Sequence, residues 1–416
     1  MTVFVSCFRR EAGRILLSLQ TFSKNSLNLS IMRHQSSSLV PERVLIVSKV
    51  SRYQFERSQE PDIDDREFKS RLLDRGANYD SMLASHEKNK IVEMKLVDTL
   101  KKKNNINYQI TDRFTIKKAD FDWADLVIAI GGDGTFLLGA NFIMDNKKPI
   151  LGINSDPDSS EGYLMLHRRY TDDIPKIFEL LTAGDYEFVM RTRIGVTLQG
   201  EKSKIWQQPF HMHEKNQIPG YENYQTDFSK ELESGGRKFH QRKLPWLALN
   251  EVFIGEALSA KTSLLEIRMD DEENYHKFKS SGICISTGTG SSSWYKAINS
   301  LTPQIVKEVL NVATLNNKYT DKEIEKISND YNNRLQFKSD DTRISYAIRD
   351  IILNEIWPLP KTMKPRGFCN RLTIRSHCYD GGLVLDGGIG VPFNIGTIAL
   401  LETNPDDALR TIKLPN

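Results

Sequence analysis

The sequence predicts an α/β N-terminal domain built on a parallel sheet, followed by a mainly β C-terminal domain. Three observations carry this. Up to about residue 185, short apolar runs alternate with stretches of helical spacing, the pattern of strands and helices in a layered parallel sheet. Beyond it, strand-like pieces recur with one helical interruption. The chain is also 416 residues long, more than one ordinary compact domain holds.

The elements follow in order. Val44-Leu45-Ile46-Val47 is short, apolar and β-branched, as a buried strand is. The charge-rich stretch Ser51 to Ala84 reads as loop and helix. Residues 87–103 place Ile91, Met94, Val97 and Leu100 at helical spacing, closed by lysines. Strands follow near Tyr108–Ile110, at Asp125–Ile130 and at Pro149–Asn154, then a helix at about 172–183. Ligands on parallel sheets bind at the carboxyl ends of strands, so the loops after these runs hold the candidate site.

The second half carries strand-like pieces at Glu187–Arg191, Ile194–Leu198, Leu247–Phe253, Ser263–Met269, Gly282–Ser286, Leu372–Arg375 and Leu383–Leu385. Asp380-Gly381 reads as a hairpin turn between the last two. Residues 201–243 are polar and read as a mobile loop. Residues 303–356 read as helical, from Ile305, Val309 and Val312 and then Ile324, Ile327 and Tyr331.

Composition excludes several classes. Hydrophobic residues are 39% and charged residues 27%, ordinary for a globular protein. No run of eighteen apolar residues exists, which excludes a membrane-spanning helix and leaves no membrane partner. Net charge is +3, so the whole-chain balance makes no case for nucleic acid. The four cysteines include no C-x-x-C pair. His211 and His213 lack ligand-spaced partners, and no metal site is assigned to the chain.

Residues 1–40 differ from the rest. Phe4, Phe8, Ala12, Ile15, Leu19 and Phe22 fall on one helical face, and Arg9, Arg10 and Arg14 on the other, with Glu11 the single acid. Such a basic, Ser-rich, amphipathic leader reads as a mitochondrial transit peptide, processed near residues 34–36. The reducing matrix agrees with sparse, unpaired cysteines.

The sharpest motif is Gly131-Gly132-Asp133-Gly134-Thr135, directly after a strand and before the apolar run Phe136–Ala140. The glycines let backbone amides approach a phosphate, and a helix start adds partial positive charge. An aspartate there accepts a proton from an attacking hydroxyl, or helps hold Mg²⁺.

G-G-D-G-T resembles the signature of a kinase superfamily that covers NAD kinases, diacylglycerol and sphingosine kinases and, as G-G-D-G-S, phosphofructokinases. Other motifs choose among them. Ala248-Leu249-Asn250-Glu251-Val252 resembles the Asn-Glu motif of NAD kinases. Ser286-Thr287-Gly288-Thr289-Gly290-Ser291-Ser292-Ser293-Trp294 resembles their second Gly-rich motif, with Gly288 replacing a proline and Ser292-Ser293-Trp294 replacing Thr-Ala-Tyr. Leu385-Asp386-Gly387-Gly388 resembles their late Asp-Gly element. The departures, the run Gly152–Gly162 and the runs Ala248–Glu256 and Lys279–Gly282 resemble the divergent mitochondrial members of that family.

The resemblance implies an NAD kinase/phosphofructokinase-like architecture. Its domains would be an α/β kinase domain at 41–185, a β-sandwich NAD-binding domain at 186–395 with the helical insertion at about 303–356, and a segment 396–416 returning to the first domain. It also implies a homodimer in the mitochondrial matrix, with NAD⁺ and ATP as substrates, Mg²⁺ entering as Mg-ATP, and inorganic polyphosphate as an alternative donor. Asp133 would be the catalytic base. Gly131, Gly132, Gly134 and Thr135 would hold the phosphates of ATP. Asn154, Asp156, Asn250, Glu251, Thr287, Thr289, Gly290, Ser291, Ser292 and Trp294 would bind NAD.

Read from the residues alone, Asn250 and Glu251 offer an amide and a carboxylate at a strand end. The Thr287–Ser293 hydroxyls suit phosphates or ribose. Trp294 is equally suited to a base stack or a core, and Asp386-Gly387 to a hairpin turn or a site. A lipid kinase and a non-catalytic NAD(H)-binding regulator are the rival readings. The Asn250-Glu251 motif speaks against the first, and the intact Asp133 against the second.

Overall fold

The computed structural model describes residues 37–103, 105–205, 210–211, 229–234, 237–314, 319–355 and 363–415. The leader read at 1–40 lies outside them except for its last residues, as do parts of the 201–243 and 303–356 segments.

Six strands make the first sheet, in the order Asn107–Thr111, Arg43–Ser48, Leu126–Gly131, Ile150–Asn154, Leu409–Lys413, Glu187–Arg191. The first four pair in parallel. Burial on both faces explains the continuous apolar runs of Arg43–Ser48, Leu126–Gly131 and Ile150–Asn154, whereas Asn107–Thr111 is a polar, largely exposed edge. Val44 and Ile46 face one core with Leu126, Ile128 and Ile130, while Leu45 and Val47 face the other with Val127 and Ala129. The chain end returns here: Thr411 aligns with Ile150, and Leu409–Lys413 runs antiparallel to Glu187–Arg191. That last strand is therefore an edge of the first sheet rather than part of the β-rich half.

The helix over Tyr79–Lys101 starts earlier than residue 87, because the Asn78 side chain accepts the Ser81 amide at 3.0 Å and caps it. Its buried face is Val92, Leu96 and Leu100, whereas Ile91 and Met94 are exposed. Two overlapping apolar stripes exist in this segment, and packing on the sheet selects the second. The helix Ile174–Ala183 is capped by Asp173 and stops at Gly184, whose φ of 74° is left-handed.

The second region contains two seven-stranded antiparallel sheets. One core runs between them, joining Ile194, Val196 and Leu265 of one sheet to Val252, Ile254 and Ile283 of the other. The sequence reading Leu247–Phe253 as one strand merges two. Arg237–Ala248 lies in one sheet and Glu251–Glu256 in the other, with the chain crossing at Leu249-Asn250. Asp380-Gly381 likewise joins strands of different sheets, Arg371–Ser376 and Gly381–Leu385, so it makes no hairpin.

Within 201–243, Ser229–Ser234 and Arg237–Ala248 pair antiparallel. Their many charges hide the strand character from a reading based on polarity. In the 303–356 segment, helices Pro303–Thr314 and Asp321–Asn333 form, but Ile344–Arg349 is a buried strand between Gly282–Ser286 and Arg366–Cys369. Its β-branched and aromatic content favours that. Val309 and Val312 of the first of these helices face outward.

Candidate active site

The strand Leu126–Gly131 ends at the glycine loop, and the helix Asp133–Ala140 begins at once. Gly131 has φ +154°, and a Cβ there would collide with the Thr135 hydroxyl and lie 2.9 Å from the Lys49 Cβ. Only glycine fits. The Thr135 and Phe136 amides donate back to the Gly132 carbonyl at 2.9 and 3.2 Å, so the amides left for a ligand at the N-terminus are those of Asp133 and Gly134. Asp133, the first helical residue, is held rigidly: its carboxylate accepts the amides of Leu164 at 2.9 Å and Tyr163 at 3.1 Å.

At the other end of this helix, buried Arg193 donates to the carbonyls of Ile143 at 2.6 Å and Ala140 at 3.3 Å. Its Nε reaches the Asp407 carbonyl at 2.6 Å. Burial lowers this guanidinium to about 10, against the pull of nearby acids, and it stays charged. One side chain thus ties the helix after the glycine loop to the returning chain end.

The loop opens on a cavity of about 590 Å³. One wall is Ser48, Lys49, Arg113, residues 132–135 and Ser160; the other is Trp246 and Asp386–Ile389. Asp386-Gly387 is the turn of a hairpin, with φ +48° and +66° and the Gly388 amide donating to the Leu385 carbonyl at 3.0 Å. It is also a clamp. The Asp386 carboxylate accepts the amides of Leu249 at 2.8 Å, Asn250 at 2.7 Å and Glu251 at 3.1 Å, the three residues of the sheet crossing. Of the sequence alternative for Asp386-Gly387, the hairpin turn is what forms, and the turn lines the cavity. Burial raises its carboxyl to about 6, opposed by those three amides.

Glu251 is buried, and its Oε2 has no hydrogen-bond partner. Burial, with the Asp386 charge, pushes its carboxyl up to about 8. The Asn250 side-chain amide makes no hydrogen bond among the described residues. The second Gly-rich turn packs onto the same crossing. Thr287 Oγ1 donates to the Leu249 carbonyl at 2.5 Å and accepts the Gly290 amide at 3.2 Å. Ser291 Oγ donates to the Gly288 carbonyl at 2.6 Å, and Ser292 Oγ to the Thr289 carbonyl at 3.4 Å. Thr289 Oγ1 accepts from Arg191 at 3.3 Å; burial lowers that guanidinium from its ordinary value, opposed by the Asp133 charge.

The sequence-predicted residues fall into three groups. Gly132, Asp133, Gly134 and Thr135 line the cavity, with Gly131 just behind them at the strand end. Asn250, Glu251, Thr287, Thr289, Gly290, Ser291 and Ser292 gather at the crossing, bound to the cavity through Asp386. Asn154, Asp156 and Trp294 do not line the cavity, although Asn154 pairs with Gly131 at the adjacent strand end. The Asn154 side chain closes its own loop, donating to the Ser160 carbonyl at 2.9 Å and accepting the Asp156 amide at 3.1 Å. Asp156 pairs with Lys88 at 2.7 Å. Trp294 is 52% exposed and lines a separate recess with Ile298, Tyr331, Arg349 and Arg366. Sequence reading missed Lys49, Arg113 and Trp246. The first two directly follow strand ends or lie in the loops after them, the positional signal that could have found them.

The profile of the ATP-NAD kinase N-terminal domain matches residues 65–186. The Rattus norvegicus protein named NAD kinase 2, mitochondrial is 36% identical, covering 90% of this chain and 88% of its own. Its Homo sapiens counterpart is 34% identical, covering 90% and 84%. Among solved structures, yeast NADH kinase complexed with NADH shares the fold, with a TM-score of 0.52 at 12% identity over 92% of this chain and 88% of that one. With over a third of its residues shared along nine tenths of its length, the chain belongs to the NAD kinase family.

Proposed function

We propose that the chain is a mitochondrial, ATP-dependent NAD kinase that phosphorylates the adenosine-ribose 2′-hydroxyl of NAD⁺ to give NADP⁺. The observation that carries this is Asp133, fixed by two backbone amides at a helix start, facing a cavity shared by both regions of the fold. Phosphoryl transfer asks for positioning and charge neutralisation more than covalent chemistry. Gly131, Gly132 and Gly134 shape the loop whose amides meet the donor phosphates, and Thr135 packs beneath it. Asp133 takes the proton of the 2′-hydroxyl.

The unpartnered Asn250 amide and Glu251 Oε2 supply hydrogen bonds to the dinucleotide, and the Thr287–Ser292 turn shapes that pocket. At neutral pH the Glu251 carboxyl keeps its proton, so it both donates and accepts. Trp294, Asn154 and Asp156 reach NAD only from outside the main cavity, Trp294 by stacking. The two antiparallel sheets form the β-sandwich of a phosphofructokinase-like architecture.

Mg²⁺ enters with ATP. Among the described residues no three His, Cys, Asp or Glu side chains are grouped so as to hold a metal ion, and Mg²⁺ commonly takes one or two carboxylates together with substrate phosphates. Inorganic polyphosphate is an alternative donor of the same chemistry. The leader directs the chain to the matrix, where it works as a homodimer. A lipid kinase would need apolar walls where Asn250 and Glu251 stand. The test is the purified chain with ATP, Mg²⁺ and NAD⁺, read by an NADP-specific dehydrogenase; absence of NADP would sink the reading.

A further inference from the structure

The cavity beside the glycine loop is lined by two acids and two cations, Asp133, Asp386, Lys49 and Arg113. They do not neutralise one another. Asp133 is held by two backbone amides and Asp386 by three. Neither cation has an ion pair among the described residues.

Arg113 is built to stay unpaired. Its neighbour Asp112 is the nearest acid in sequence, yet Asp112 forms no ion pair with it and turns its Oδ1 to its own loop. It accepts the Phe114 amide at 2.9 Å, the Thr115 amide at 3.2 Å and the Thr115 hydroxyl at 3.1 Å. These bonds fold the loop after the Asn107–Thr111 strand into a defined turn. The guanidinium carbon sits 5.9 Å from the Phe55 ring centre and 6.0 Å from that of Phe114. Those two rings stack on each other 6.4 Å apart, 16° from parallel. The arginine is thus placed by aromatic faces, which leave its N–H groups free. A half-buried guanidinium with free donors, beside glycine amides at a helix start, matches a phosphate group in charge and in fork geometry.

Resting on the kinase reading, we propose that Arg113 grips the phosphate chain of the phosphoryl donor, opposite the glycine loop. Asn250 and Glu251 do not line this cavity wall, so Arg113 serves the donor and leaves the dinucleotide to the crossing. The shared chemistry is a linear chain of phosphoryl groups, present in ATP and in inorganic polyphosphate alike.

The test uses the full chain and two variants, Arg113→Gln and Arg113→Lys. Arg113→Gln should raise the KM for ATP at least about tenfold, equal to about 1.4 kcal/mol of binding. The KM for NAD should stay within about twofold and the melting temperature should hold. Arg113→Lys, which keeps the charge but loses the fork, should recover part of the loss. Inorganic tripolyphosphate, used as a competitive inhibitor against ATP, should weaken in parallel with ATP in Arg113→Gln. An inhibition constant that stays put while the KM for ATP rises would place Arg113 on the nucleoside and overturn the assignment. So would an equal rise in the KM for NAD, or an unchanged KM for ATP in an active Arg113→Gln enzyme. Failure of the wild-type chain to form NADP would remove the kinase reading and this assignment together.

Discussion

Asp386 Oδ1 accepts the backbone amide of Asn250 at 2.7 Å. That bond ties a hairpin turn of one sheet to the point where the chain leaves the other. Two further amides, of Leu249 and Glu251, complete the grip, and the Leu249 side chain shares a core cluster with Phe136 of the helix after the glycine loop. The residues that present the Asn-Glu pair are therefore positioned by an acid more than 130 residues away in sequence. Asp386→Asn should turn a donor toward this row of donors. The expected loss is about 1–3 kcal/mol of stability, with a raised KM for NAD. An unchanged melting temperature and KM would show that the crossing keeps its shape without the clamp.

Asp133→Asn keeps one acceptor oxygen for the Tyr163 and Leu164 amides but removes the base. The expected fall in kcat is roughly 10²–10⁴, with NAD binding weakened far less. Near wild-type turnover in steady-state assays would take Asp133 out of the chemistry.

Glu251 sets a pH dependence. Its carboxyl rises from 4.5 to about 8 on folding. Between those values the folded chain keeps a proton that the unfolded chain has released, so stability falls as pH rises. Asp386, raised from 3.8 to about 6, acts in the same sense at lower pH. From pH 6.5 to 8 the slope belongs mainly to Glu251, up to about 1.4 kcal/mol per pH unit. Urea unfolding across that range should show a flatter slope in Glu251→Gln; identical slopes would put the titration elsewhere.

Two glycines give opposite outcomes. A Cβ at Gly290 would land on the Asn250 carbonyl oxygen, although Gly290 has no positive φ. Gly290→Val should thus raise the KM for NAD at least about tenfold and lower the melting temperature, through backbone collision rather than torsional strain. A Cβ at Gly134 meets nothing within 4 Å. Gly134→Ala should fold normally and lose ATP affinity, because its methyl group enters the space of the phosphates. Full activity in Gly134→Ala would move the donor away from this loop.

The leader makes a prediction of its own. Residues 1–40 fused to a fluorescent protein should enter mitochondria, and reversing Arg9, Arg10 and Arg14 to Glu should abolish import. Entry of the charge-reversed fusion, scored by microscopy, would defeat the amphipathic argument.

Local chemistry was legible in the amino acids themselves. A strand running into G-G-D-G-T can be read from a short window, because apolar runs, glycines and a helix start act over a few residues. The parallel sheet was legible too, since strands buried on both faces must be apolar throughout. What sequence could not decide were choices made by distant partners. Leu247–Phe253 reads as one strand because its residues are uniformly strand-like, yet the clamp from Asp386 divides it between two sheets. Asp380-Gly381 has the composition of a hairpin, but each flanking strand finds its partners elsewhere. Arg113 looked like any loop arginine until the turn at Asp112 and the rings of Phe55 and Phe114 aimed it at the cavity. Hydrogen bonds and packing between residues far apart in the chain carry no local pattern, so only the tertiary structure placed them.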